Sequence, residues 1–223
     1  MIPCMIVPIL VGPEILYRML DTIDYSVKKL IIIDNGDALR HTVGWPVEHV
    51  QSTKVIKMPA NLGVAGSWNL GIKAAPFAPW WMIVNFDVEW PAGSLEAFAA
   101  QASGADILLA QSPQPWSAFA LGEDVVQRVG LFDEAFHPAY FEDNDYEQRA
   151  VAAGVKMFHP AVDIGHDNSA VLMSSPELQE RNRATFVKNQ RVLAERWDGL
   201  KPGEVPPFED WSLGERCDYS WDG

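Results

Sequence analysis

At 223 residues, with a formal charge of -13 and 48% apolar residues, the chain is long enough for one α/β domain with a sizeable core and too acidic for a broad cationic surface. That balance argues against duplex nucleic acid or an anionic membrane as the main partner, because such polyanions are gathered by clustered Lys and Arg. No apolar run approaches the roughly 20 residues of a bilayer span, the start Met1-Ile2-Pro3-Cys4 lacks a signal peptide's basic segment, and the distant cysteines Cys4 and Cys217 read as free thiols in a reducing, cytoplasmic setting.

Along the chain, apolar runs alternate with helical patterns. A strand near 3–9 is followed by a helix over 13–24, strands at 29–34 and 54–57, a helix over 65–75, a strand at 81–86, a helix over 93–102 and a strand at 106–110. Gly122 to Val129 then reads as a short helix, Tyr140 onwards opens another that ends at Gly154, and 155–158 is the next strand. This order favours a single Rossmann-like α/β domain over 1–198, with a mainly parallel central sheet flanked by helices. Arg181, Arg183, Lys188 and Arg191 share a helix with Glu177, Glu180 and Glu195 and read as a mixed solvated face. Over 199–223 the composition shifts to prolines, acids and Trp211 and Trp221. That stretch reads as an irregular C-terminal extension that wraps the domain or offers a surface for homo-oligomer contacts.

Two acidic elements carry the chemistry. In Tyr140-Phe141-Glu142-Asp143-Asn144-Asp145-Tyr146, three carboxylates fall within four positions, after Gly130-Leu131-Phe132-Asp133-Glu134. Such like charges raise one another's pKa unless a cation, a helix N-terminus or a substrate proton lies among them; a plain acidic helix start is the alternative. Upstream, the buried run Trp81 to Val84 ends in Asn85-Phe86-Asp87, where α/β sheets bind ligands. If strand geometry persists, Asn85 and Asp87 point to one side and offer oxygen ligands to a hard divalent cation such as Mg²⁺ or Mn²⁺.

Taken in order, these segments resemble the inverting nucleotide-sugar glycosyltransferases of family 2, which have the GT-A fold. Val7-Pro8-Ile9 with the following helix is similar to that family's first strand and helix, and Leu30-Ile31-Ile32-Ile33-Asp34-Asn35-Gly36 to its second strand and turn. The stretch from Asn61 to Ile72 is similar to its Asn-x-Gly element, Asn85-Phe86-Asp87 to its metal-binding Asp-x-Asp, and Gly130 to Asp145 to its acceptor-side motif. The resemblance covers roughly residues 2 to 170.

It implies a metal-dependent hexosyl- or pentosyltransferase that moves a sugar from a nucleoside-diphosphate sugar, with UDP-sugars first among donors, to a hydroxyl on a glycan, protein or small molecule. By the resemblance, Asp87 and His166 are the metal ligands, with Mn²⁺ or Mg²⁺ as cofactor, and Asn85 meets the metal directly, through water, or only the donor. Asp143 is the general base and Glu142 holds the acceptor, while Asp145 caps or braces its helix and Asp133 shapes a loop. Donor binding falls to Pro8, Ile9, Asp34, Asn61, Gly63 and Lys73. The bland reading of Asp34-Asn35-Gly36 is an ordinary turn, and Asn69 and Gly71 start or pack a helix. Trp116 either stacks on a sugar or packs in the core. A catalytically silent binding module is the alternative; a nucleotidylyltransferase is disfavoured because Val11-Gly12-Pro13-Glu14 is no Gly-rich cationic phosphate loop.

Overall fold

A computed structural model describes residues 1–39, 47–111, 114–166 and 176–197. Its central sheet contains β1 (Met5–Ile9), β2 (Leu30–Asp34), β3 (Thr53–Lys57), β4 (Trp80–Val84), β6 (Ile107–Leu109), β7 (Ala118–Gly122) and β8 (Met157–Phe158), in the order β3-β2-β1-β4-β7-β6-β8. A second, two-stranded sheet pairs β5 (Val88–Glu89) with β9 (Gly165–His166). Most neighbours in the large sheet are parallel, and β7 runs antiparallel to both β4 and β6.

Period-two alternation divides the apolar residues between two cores. From β1, Met5, Val7 and Ile9 face α1 (Pro13–Asp21) and α3 (Ser94–Ala99), which contribute Leu16, Met19, Leu95 and Phe98. Cys4 and Ile6 face the other core, with Trp68 and Ile72 of α2 (Gly63–Ala74), Val125 of α4 (Glu123–Val129) and Tyr146 of α5 (Glu142–Ala152). Coverage on both faces is why residues 30–33 of β2 and the whole of β4 are continuous apolar runs with every residue buried. Each fully buried Ile or Leu contributes about 1.5–3 kcal/mol of apolar burial. Gly71 lets α2 lie directly on β1, since a Cβ there would stand 2.4 Å from Ile6 Cγ2.

Parallel pairing brings the carboxyl ends of β1, β2 and β4 to one edge of the sheet, with Ile9 opposite Asp34. Because β7 is antiparallel, it starts at that same edge, with Ala118 opposite Val84 and Asn85 N–H donating to Ser117 O at 2.7 Å.

The elements depart from the sequence reading in several places. The strand expected at 81–86 stops at Val84, and Val88 N–H closes a turn onto Asn85 O at 3.2 Å, so Asn85 and Asp87 are not on one strand. The helix expected over 93–102 is regular only over Ser94–Ala99. β7 was not foreseen, because its alanines carry little strand propensity and its neighbours supply the burial. The helix read as a solvated face, α6 (Pro176–Arg196), buries Thr185, Val187, Asn189, Gln190 and Leu193. Cys4 is a buried free thiol pushed up to about 12 by desolvation. Cys217 and the extension over 199–223 lie outside the described residues. Among those residues, no helix is long and apolar enough to cross a membrane.

Candidate active site

The carboxyl edge of the sheet collects most of the residues singled out by sequence. The turn after β4 presents Asp87, and the pairing of β5 with β9 sets Val88 opposite His166. His166 Nε2 stands 3.2 Å from Asp87 Oδ1, with both side chains nearly buried. His166 Nδ1 lies 3.3 Å from Gln114 Oε1. With a cation between the two side chains, Nδ1–H donates to that amide oxygen and Nε2 presents its lone pair; without one, Nε2–H faces the Asp87 carboxylate.

This pair fits a divalent cation. Two adjacent ligands of an octahedral ion with bonds of about 2.1 Å stand about 3 Å apart, close to the observed separation. Imidazole and carboxylate together suit Mn²⁺. Among the described residues, no group of three or more His, Cys, Asp and Glu side chains gathers as a complete cage. An ion held here would draw its remaining ligands from water and from a diphosphate, as hard cations at phosphate sites do.

Pro8 and Ile9 close β1 at this edge, Ile9 paired with Asp34. Asp34 is fully buried, and its carboxylate accepts from the N–H groups of Ala38 at 2.9 Å and Leu39 at 3.0 Å. It therefore braces the turn after β2. Asn35 is also buried; its Oδ1 accepts from Leu62 N–H and its Nδ2 donates to Ser67 Oγ, which fixes the start of α2 at the same edge.

Asn61 and Gly63 serve a close approach, and the approaching group is the protein's own chain. Asn61 Oδ1 accepts from Gly63 N–H at 2.9 Å, and Val64 N–H donates to Pro138 O at 2.7 Å. Gly63 adopts φ +72, and a Cβ there would stand 2.6 Å from Pro138 O. Lys73 is not brought to the site. It is exposed near the end of α2, where Trp81 Nε1 donates to Ala75 O at the opposite edge of the sheet, so the reading of Lys73 as a phosphate or base contact is withdrawn.

The contact at Pro138 holds the segment before α5 against the start of α2, and α5 opens with Glu142 and Asp143. Glu142 is 5% exposed and its Oε2 has no hydrogen-bond partner. Desolvation, and then the Asp143 charge, hold its carboxyl well above the usual carboxylate range. Asp143 is half-buried, accepts from Asn144 N–H at 2.8 Å, and is raised by desolvation with help from the Glu147 charge. A buried carboxyl with one unpartnered oxygen, beside a second one of raised proton affinity, is the pattern expected where a hydroxyl is to be bound and deprotonated.

The remaining motif residues are structural. Asp145 is fully buried and accepts from Arg149 Nε and Arg196 Nη1, each at 2.9 Å, and from Trp197 Nε1 at 3.0 Å. Asp133 accepts from Ala135 N–H and pairs with Arg196. Asn69 ties α2 to the loop beyond α4 through Phe132 and Glu134. Trp116 packs edge-on against Phe119, with ring centroids 4.9 Å apart, which resolves its reading in favour of the core. A cavity of about 640 Å³ lies between this loop, Arg149 and Arg196, and none of the expected donor, metal or catalytic residues lines it. Sequence reasoning missed Gln114, whose only signal is its place between Pro113 and Pro115, and Asn189, which sits in a helix of polar composition.

No protein-family model matches the chain, and no curated protein sequence matches it either. Solved structures do. A mannosyltransferase from Pyrobaculum calidifontis, in complex with GDP-Man and Mn²⁺, is 16% identical at a TM-score of 0.62, covering 90% of this chain and 65% of that one. TarS of S. aureus with UDP is 13% identical at 0.59, covering 91% and 68%. GalNAc-T7 with UDP, GalNAc and Mn²⁺ is 13% identical at 0.64, covering 89% and 48%. The chain thus spans between about half and two thirds of these proteins' lengths. At such identities the likeness is one of fold: this chain has the GT-A fold of these glycosyltransferases.

Proposed function

We propose that the chain is a metal-dependent, inverting glycosyltransferase that carries a hexosyl or pentosyl group from a nucleoside-diphosphate sugar to an acceptor hydroxyl. The observation that carries this reading is the Asp87–His166 pair at the carboxyl edge of a GT-A sheet, joined at that edge by the α5 start with Glu142 and Asp143. The neighbours solved with UDP or GDP-Man, two of them with Mn²⁺, support a donor of this class.

Asp87 and His166 would hold the cation, with Gln114 fixing the imidazole. When bound, the cation supplies Lewis acidity to the departing diphosphate. Asn85, beside Asp87, faces the donor or an ion-bound water. Pro8, Ile9 and the turn braced by Asp34 frame the nucleoside, while Asn61 and Gly63 shape that wall through the Pro138 contact.

Asp143 takes the proton from the acceptor hydroxyl as its oxygen attacks the anomeric carbon opposite the diphosphate, a single displacement that inverts the centre. Glu142, still protonated where ordinary carboxylates are ionised, donates a hydrogen bond to the acceptor and adds no negative charge beside the base.

The test is transfer from UDP-glucose, UDP-N-acetylglucosamine and GDP-mannose to an acceptor panel with Mn²⁺, the product anomer being read by proton NMR. Inverted product, with turnover reduced about 10²–10⁴-fold in Asp143→Asn, is the expected result. Retained configuration, or an Asp143→Asn variant of full activity, refutes the mechanism.

A further inference from the structure

The turn that feeds α5 is held from outside the site. Tyr140 at φ +74 and Phe141 at φ +70 are consecutive non-glycine residues in the left-handed region, where L side chains crowd their own backbone. Such a conformation persists only where its surroundings impose it. Here the next two residues are Glu142 and Asp143, so the direction in which those carboxyls leave the chain depends on this turn.

What imposes it is one face of α6. Asn189 is fully buried, and its Nδ2 donates to Phe136 O at 2.9 Å and Ala139 O at 2.7 Å, with Tyr140 O at 3.4 Å. These are carbonyls of the segment that ends in the left-handed pair. The other end of the same amide, Oδ1, is buried without a partner, so Asn189 carries a desolvation penalty that packing alone does not require. One turn to either side, Phe186 packs against the Tyr140 and Phe141 rings, with centroids at 5.3 and 4.8 Å, and Leu193 joins the same cluster. Asn182 donates to the Tyr140 hydroxyl.

We propose that Asn189 is a positioning residue for the acceptor-side carboxyls: its amide fixes the 136–140 carbonyls, these hold the Tyr140–Phe141 turn, and the turn aims Glu142 and Asp143. The inference rests on the reading of those two residues as the acceptor-side pair. The same segment carries Pro138, whose carbonyl accepts from Val64 N–H at the donor-side wall, so a change at Asn189 reaches the acceptor carboxyls first and the donor wall only through that contact.

The test compares wild type, Asn189→Leu and Asn189→Ser, with Phe98→Leu as a control that loosens the opposite core. Mn²⁺-dependent release of nucleoside diphosphate from UDP-glucose and GDP-mannose is measured beside amide NMR spectra and calorimetry with UDP and GDP. The expected result is a kcat lowered about 10–100-fold in Asn189→Leu, with a smaller loss of nucleotide affinity. Amide resonances of 140–145 move in that variant, and the loss is partly recovered in Asn189→Ser, which keeps a donor. Phe98→Leu should lose melting temperature without losing kcat. Unmoved 140–145 resonances, or a kcat equal to wild type in Asn189→Leu, would overturn the inference. If wild type releases no nucleotide from these two donors, the NMR arm alone decides whether Asn189 sets the turn.

Discussion

His166 Nε2 stands 3.2 Å from Asp87 Oδ1, brought there by a two-residue antiparallel pairing between β5 and β9. Gln114 meets the far nitrogen of the same ring. Partners of that kind keep a ligand imidazole in one tautomer and one orientation, and their loss costs roughly 10–100-fold in metal affinity. Gln114→Leu is therefore expected to weaken Mn²⁺ binding by about tenfold, measured by electron paramagnetic resonance titration, with metal-free nucleotide binding unchanged.

Glu142 makes the fold less stable than it could be. Its folded carboxyl keeps a proton that the unfolded chain releases near the ordinary Glu range, so stability falls as pH rises through that range toward the raised folded value. Glu142→Gln removes that penalty. The variant is expected to melt higher than wild type at neutral pH, by about 2–4 °C for each kcal/mol gained, and the gain should vanish toward about pH 4, below the window. Differential scanning calorimetry across pH checks both the sign and the window.

The proton affinity of Asp143 is raised first by burial and then by Glu147, one helical turn away. With Asp143 as the proposed base, its ionisation sets the acidic limb of the rate profile, which should lie above the ordinary Asp range. Glu147→Gln withdraws a like charge and shifts that limb to lower pH, while the plateau rate stays within about twofold. A pH series of kcat/KM distinguishes this from a general loss of activity.

Much of the fold was legible because both faces of the sheet are covered, so β1, β2 and β4 read as apolar runs between turns. β7 was hidden, since Ala118 and Ala120 fit a strand only when neighbouring strands bury them. Asp87, Glu142, Asp143 and His166 were singled out because their order resembles a known family. Their partners were not. Gln114 and Asn189 act through side-chain amide contacts across long sequence separations, which no local pattern records. Lys73 was misplaced because sequence spacing does not show that α2 runs back along the sheet, away from the carboxyl edge. Asp34 was legible as a site-edge residue, but the loop that claims its carboxylate was not.

Asp145 belongs to the same acidic run as Glu142 and Asp143 and serves the fold. Fully buried and bonded to Arg149, Arg196 and Trp197, it fastens the end of α6 to α5. Asp145→Ala leaves two arginines facing a vacated site and is expected to cost about 3 kcal/mol. Urea denaturation measures the loss, and binding of UDP or GDP to the folded fraction should persist.

The central claim is most directly tested by calorimetric titration of UDP, GDP, dTDP and CDP into wild type and Asp87→Ala, each with and without Mn²⁺. The account expects one nucleoside diphosphate to bind wild type in a Mn²⁺-dependent manner, with that dependence abolished in Asp87→Ala. Absence of nucleotide binding under any metal condition, or metal-dependent binding that survives Asp87→Ala unchanged, would contradict it.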